Sequence, residues 1–159
     1  MVSEEKFRFD FTHFKDIGPQ ELEEVQDLLN EYVIKNDPLN AQVMPKLEAQ
    51  KTGAIALFGE KYEDEVRVVS IADYSKEFCG GTHLDQTGKI GFILINSESS
   101  VGSGLRRIEA LTGKLAYEEA LNTSRILNDI SLKLKSRREQ LLDALEVQAA
   151  RQKIGRAHV

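Results

Sequence analysis

The sequence predicts an α+β fold: an antiparallel sheet with short packed helices, followed by one long C-terminal helix. Three observations carry that expectation. Residues 6–12 (KFRFDFT) alternate aromatic and charged side chains, the two-residue period of a half-buried strand. Residues 65–72 (EVRVVSIA), 90–96 (IGFILIN) and 105–111 (LRRIEAL) repeat strand-like, β-branched or apolar composition between turn signals. From Lys114 nothing breaks a helical pattern until Gly155.

The elements follow in order. Phe7, Phe9 and Phe11 share one face of the first strand, Arg8 and Asp10 the other. Gly18-Pro19 then opens a helix, with Pro19 at its first position and Glu21, Glu23 and Glu24 in its first turns. Leu22, Val25, Leu28, Leu29, Tyr32 and Val33 give that helix an apolar stripe, which ends before Asn36-Asp37-Pro38. Residues 45–52 (PKLEAQKT) predict a short helix after Pro45, closed by Gly53, and residues 54–59 a short apolar connection. A loop is expected over 75–83 and a glycine turn over 101–104. In the C-terminal helix, Leu127, Ile130, Leu134, Leu141 and Leu145 fall on heptad core positions, with Arg137 interrupting one. An unbroken helix of about 40 residues would extend about 60 Å, so pairing with a copy in a second chain is expected. The domain division expected is 1–113 for the sheet-bearing body and 114–159 for the helix.

The chain has 159 residues, of which 41% are hydrophobic and 30% charged, so it can pack a core. No apolar run approaches the ~20 residues that span a bilayer, and no signal-peptide pattern opens the chain. A single cysteine cannot form an internal disulfide, which points to a reducing, cytoplasmic setting. Residues 1–121 hold 13 Lys+Arg against 22 Asp+Glu, whereas residues 122–159 hold 8 against 4. An acidic body does not coat nucleic acid nonspecifically, which argues against a DNA partner and confines any nucleic-acid contact to local sites.

One segment carries chemistry: residues 75–83 (SKEFCGGTH). Cys79 stands four residues before His83, with Gly80-Gly81 between them. Thiolate and imidazole are preferred zinc ligands, and paired glycines let a short backbone curl so that both reach one ion. Taken alone, C-x-x-x-H is more often a small buried thiol beside a turn histidine, and zinc needs three or four protein ligands. The other histidines, His13 and His158, form no recognisable motif with it. Nucleophilic catalysis by Cys79, with Glu77 or His83 drafted as base, is the rival and has no support from the spacing. Gly102-x-Gly104 followed by Arg106-Arg107 could bring amides and guanidinium groups to a phosphate, or be a tight turn with one inward and one outward arginine.

Residues 75–83 (SKEFCGGTH), 87–98 (TGKIGFILINSE) and 104–113 (GLRRIEALTG), preceded by 7–14 (FRFDFTHF) and 53–62 (GAIALFGEKY), resemble in order the editing domain of alanyl-tRNA synthetase. This is the second additional domain shared with threonyl-tRNA synthetase. The resemblance covers about residues 4–121, and the helix beyond resembles the start of that family's C-terminal region. It implies post-transfer editing, the hydrolysis of mischarged seryl- or glycyl-tRNA(Ala), with tRNA(Ala) as partner and zinc as cofactor. In the family, two histidines of an upstream H-x-x-x-H helix hold zinc together with the later Cys and His, which here are Cys79 and His83. These 159 residues contain no H-x-x-x-H, so the chain is expected to be an editing-domain portion without that part, binding zinc weakly and with impaired activity. Gly80, Gly81, Thr82, Arg106 and Arg107 are the expected substrate- or tRNA-binding residues; none is assigned to the catalytic step. Two other identities stay open: a non-catalytic tRNA-binding or oligomerisation module, and a free-standing alanyl-tRNA editing protein.

Overall fold

The aromatic and charged alternation near the N-terminus becomes β1 (Phe7–Thr12) in the computed structural model, which describes residue 3, residues 6–56 and residues 62–156, with side chains to residue 150. Phe7, Phe9 and Phe11 stack along one face, with ring centroids 6.5 and 5.8 Å apart. After β1 come α1 (Pro19–Lys35), β2 (Leu39–Pro45), α2 (Lys46–Lys51), β3 (Glu65–Ile71) and β4 (Ser75–Phe78). A 3₁₀ turn (Thr87–Ile90), β5 (Ile93–Gly102), β6 (Leu105–Thr112) and α3 (Gly113–Leu134) follow, then a second 3₁₀ turn (Arg138–Gln140) and α4 (Leu141–Arg156).

The strands form two antiparallel sheets of three, β1-β6-β5 and β2-β3-β4, rather than the single sheet expected. Two strands account for the difference. β2 is an edge strand, LNAQVMP, whose side chains are mostly exposed and show no regular alternation of apolar and polar residues. β4 lies where a loop was expected: Ser75–Phe78 pairs with Val68–Ile71 across a tight turn in which Ala72 takes φ 45°. Each sheet has its own core. Val66 and Val68 of β3 pack with Ala49 of α2 and Phe78 of β4. Val33 of α1, Ile93 of β5 and Ala110 of β6 form the other.

α1 meets its sheet differently from the expected stripe. Val25, Leu28 and Leu29 remain exposed; Val33 packs in the core, and amides add polar joins to β5. Asn30 accepts from the Ile93 N–H and donates to the Ile93 carbonyl, and Gln26 accepts from the Ile95 N–H. β5 is an edge strand, so these side chains satisfy backbone groups that would otherwise template pairing with another chain. Gly91 follows the first 3₁₀ turn with φ 71°, and a Cβ there would stand 2.9 Å from the Gly113 Cα, so the approach of this turn to the start of α3 requires glycine.

The chain divides into compact units Met1–Ala116 and Tyr117–Val159, a boundary three residues beyond the one expected. The expected unbroken C-terminal helix is interrupted. α3 ends in a Schellman arrangement, with Lys135 at φ 50°, its N–H donating to the Leu132 carbonyl, and the Ser136 N–H donating to the Ser131 carbonyl. Arg138 then folds back onto the Asn128 side chain and the Ser124 carbonyl and hydroxyl. Arg137 therefore sits between two helices, not at a helical core position, and the heptad series is split between α3 and α4. Gly155 lies inside α4 and does not end it. Residues 57–59 of the expected apolar connection, and His158, lie outside the described residues.

Candidate metal centre

β4 and the segment after it build the site. Val68 faces Phe78 and Val69 faces Glu77 across the β3–β4 ladder. Strand alternation sends Phe78, 1% exposed, into the core and leaves Glu77 on the opposite face. The ladder runs one residue past the strand, since the Cys79 N–H donates to the Arg67 carbonyl at 3.0 Å. Cys79, two residues beyond Glu77, thereby returns to the Glu77 face. The chain then turns so that one donor atom each from Glu77, Cys79 and His83 lies within 4.8 Å of the others. Cys79 is a free, half-buried thiol, and His83 is exposed.

This donor set suits zinc. Thiolate, imidazole and carboxylate are its three protein donor types, and three protein ligands leave a fourth position for water or substrate. Tetrahedral donors at zinc bond lengths stand about 3.3–3.8 Å apart, so the observed spread is within a side-chain rotation of closure. Glu77 was placed in the sequence only as a possible base for the cysteine; the hairpin brings it to Cys79 and His83 as a third donor.

The paired glycines are required neither by backbone angle nor by close packing. Neither Gly80 nor Gly81 has a positive φ. A Cβ on Gly80 would meet nothing within 4 Å, and one on Gly81 would make ordinary contacts at 3.6 Å from the Cys79 Sγ and 3.9 Å from the His83 Cε1. Thr82 is exposed beside His83.

Arg67 was not anticipated. It lies mid-strand in β3 between buried Val66 and Val68, and its Nη1 donates to the carbonyls of Cys79 (2.9 Å) and Gly81 (2.7 Å). The same atom is 3.4 Å from the His83 Nδ1. A charged residue flanked by core valines was the signal available in the sequence.

Arg106 and Arg107 belong to the other sheet, and both have carboxylate partners. Arg106 pairs with Glu98, Nη2 to Oε2 at 2.6 Å, and its Nη1 stands 2.7 Å from Asp16. Arg107 grips Asp10 with two hydrogen bonds of 2.6 and 2.7 Å. The hydrogen bond from Arg106 holds the Glu98 carboxyl below its ordinary range against the opposing effect of burial. His13 stands at the end of β1 beside Phe11, in that same sheet.

Residues 66–109, which include the whole donor set, match the family model described as the threonyl and alanyl tRNA synthetase second additional domain. Over 97% of its length the chain is 47% identical to an alanine–tRNA ligase of Acetivibrio thermocellus, of which the match covers 18%. It is 44% identical over 92% of its length to that of Methylococcus capsulatus (17% of the relative), and 43% identical over 91% to that of Clostridioides difficile (16%). The chain thus spans less than a fifth of the length of these curated relatives.

Proposed function

We propose that this chain, which belongs to the family of the threonyl and alanyl tRNA synthetase second additional domain, is the part of an alanine–tRNA ligase that hydrolyses amino acids wrongly esterified to tRNA(Ala), seryl and glycyl esters above all. The observation that carries this reading is the convergence of Glu77, Cys79 and His83 inside the matched residues. Hydrolysis joins a water oxygen to the acyl carbon, breaks the bond to the terminal ribose oxygen, and returns a proton to that oxygen. Cys79 and His83, with Glu77 as third donor, would hold a zinc ion, which when bound would supply Lewis acidity to a water or to the ester. Glu77, Cys79 and His83 would fix where that group sits.

Serine differs from alanine by one hydroxyl, which an apolar pocket rejects poorly, so a polar side chain must recognise it. The Thr82 hydroxyl, exposed beside His83, is the proposed recognition group. The protein works in the cytoplasm on tRNA(Ala); among the described residues no helix is long and apolar enough to cross a membrane.

The test is release of serine from seryl-tRNA(Ala) by the purified chain with added zinc. Release that outpaces release of alanine from alanyl-tRNA(Ala), and that disappears in Cys79→Ala, supports the reading. Retention of tRNA without hydrolysis favours the second reading, a non-catalytic tRNA-binding or self-associating module. The basic stretch 122–159 and the exposed Leu127 and Leu145 are the observations in its favour.

A further inference from the structure

We infer that Arg67 is the positioning residue of this site: from the central strand of its sheet, its guanidinium holds residues 79–81 in the shape that brings Cys79 and His83 together. The inference rests on the assignment of Cys79 and His83 as metal donors.

The Arg67 Nη1 carries two hydrogens, and two carbonyl oxygens, those of Cys79 and Gly81, stand at 2.9 and 2.7 Å. One nitrogen thus pins the backbone on both sides of Gly80. The His83 Nδ1, at 3.4 Å, is a loose neighbour and not a third full hydrogen bond. The anchor itself cannot drift. The flanking Val66 and Val68 are each 4% exposed, and β3 is paired on both edges.

Arg67 also differs from Arg106 and Arg107 of β6. Arg106 and Arg107 are neutralised by carboxylates, whereas no ion pair to Arg67 is present among the described residues. Its hydrogen-bonding capacity goes to backbone carbonyls of the segment that carries the donors. Gly80 and Gly81 have no left-handed backbone angle to define that segment, so the shape depends on an external clamp. Lysine offers a single ammonium point in place of a planar fork and reproduces the two-carbonyl grip only in part.

Cobalt(II) is the probe, because a bound thiolate gives it a charge-transfer absorption band. The full chain and the variants Arg67→Lys, Arg67→Met, Arg107→Met and Cys79→Ala are titrated with cobalt(II), with folding checked by circular dichroism. The expected result is a thiolate band in the unaltered chain that is absent in Cys79→Ala. Arg67→Met weakens cobalt affinity by about 10–100-fold, the effect of losing a residue that orients a ligand, while the band at saturation persists. Arg67→Lys falls between, and Arg107→Met is unchanged. Arg67→Met with unaltered affinity overturns the inference while leaving the donor assignment standing, as does an equal loss in Arg107→Met. If Arg67→Met fails to fold, folded Arg67→Lys with unaltered affinity does the same. A band that survives in Cys79→Ala, or none in the unaltered chain, overturns the donor assignment and the inference with it.

Discussion

Sheets β1-β6-β5 and β2-β3-β4 have the same number of strands and the same antiparallel pairing, yet they dispose their polar groups in opposite ways. The first closes its charges on itself. Arg106 meets Glu98 and Asp16, Arg107 meets Asp10, Lys6 meets Glu109, and the β5 edge is capped by Asn30 and Gln26. The second packs Val66, Val68 and Phe78 against Ala49 on one face, while the other carries Arg67, Glu77 and Cys79 beside the buried Val69. A sheet whose polar groups are mutually satisfied is a scaffold; one whose donors converge without an internal partner can bind something else.

The largest expected effect comes from the buried face of the second sheet. Phe78→Ala removes a side chain that is 1% exposed and meets Tyr62 edge-on, and should lower stability by about 3–5 kcal/mol in chemical unfolding. Cys79→Ala, one residue away on the open face, should leave the unfolding midpoint nearly unchanged while removing metal binding. A large stability loss in Cys79→Ala would break the division between the two faces. Asn30→Ala in the first sheet leaves the N–H and carbonyl of Ile93 without their side-chain partner and should cost about 1–3 kcal/mol in the same assay.

The two sheets should also fail at opposite ends of the pH scale. Glu98 has a lowered pKa in the folded protein, set first by its hydrogen bond from Arg106. Its contribution is present above the ordinary carboxylate range and is lost as pH falls through the folded value. Tyr74, in the turn joining β3 to β4, has its pKa pushed from 10.0 up to about 12 by burial and by its hydrogen bond to Asp37. Its contribution is present below the unfolded value and is lost as pH rises toward 12. Unfolding midpoints against pH should therefore soften their acid limb in Glu98→Gln and their alkaline limb in Tyr74→Phe. The smallest effect is expected at Asp10→Asn, which removes an exposed pair and should shift the midpoint within the scatter of surface substitutions.

Much of the fold was legible where side chains alternate cleanly. β1, β3 and β6 appear within a residue of the segments that KFRFDFT, EVRVVSIA and LRRIEAL define, and α1 starts at Pro19 and ends before Asn36 as its boundary residues indicate. β2 and β4 escaped because LNAQVMP shows no regular alternation and SKEF is short and mostly polar; both are strands by pairing with β3. The helix break escaped because Lys135 adopts a left-handed angle that glycine would have announced. Ser136 and Glu139 spell the S-x-x-E of a new helix start and were the available signal. The split removes the long continuous stripe that was the main argument for pairing through this region. At the site, Cys79 and His83 lie four residues apart and were readable. Glu77 and Arg67 depended on hairpin register, which a loop expectation over 75–83 hid.

The central claim is that the open face of β2-β3-β4 is a thiolate-bearing metal centre, and zinc-edge X-ray absorption on the chain loaded with one equivalent of zinc tests it most directly. One sulfur scatterer at about 2.3 Å with nitrogen and oxygen scatterers at about 2.0–2.2 Å, the sulfur vanishing in Cys79→Ala, is the predicted result. A first shell of nitrogen and oxygen alone, identical in the unaltered chain and in Cys79→Ala, would contradict it.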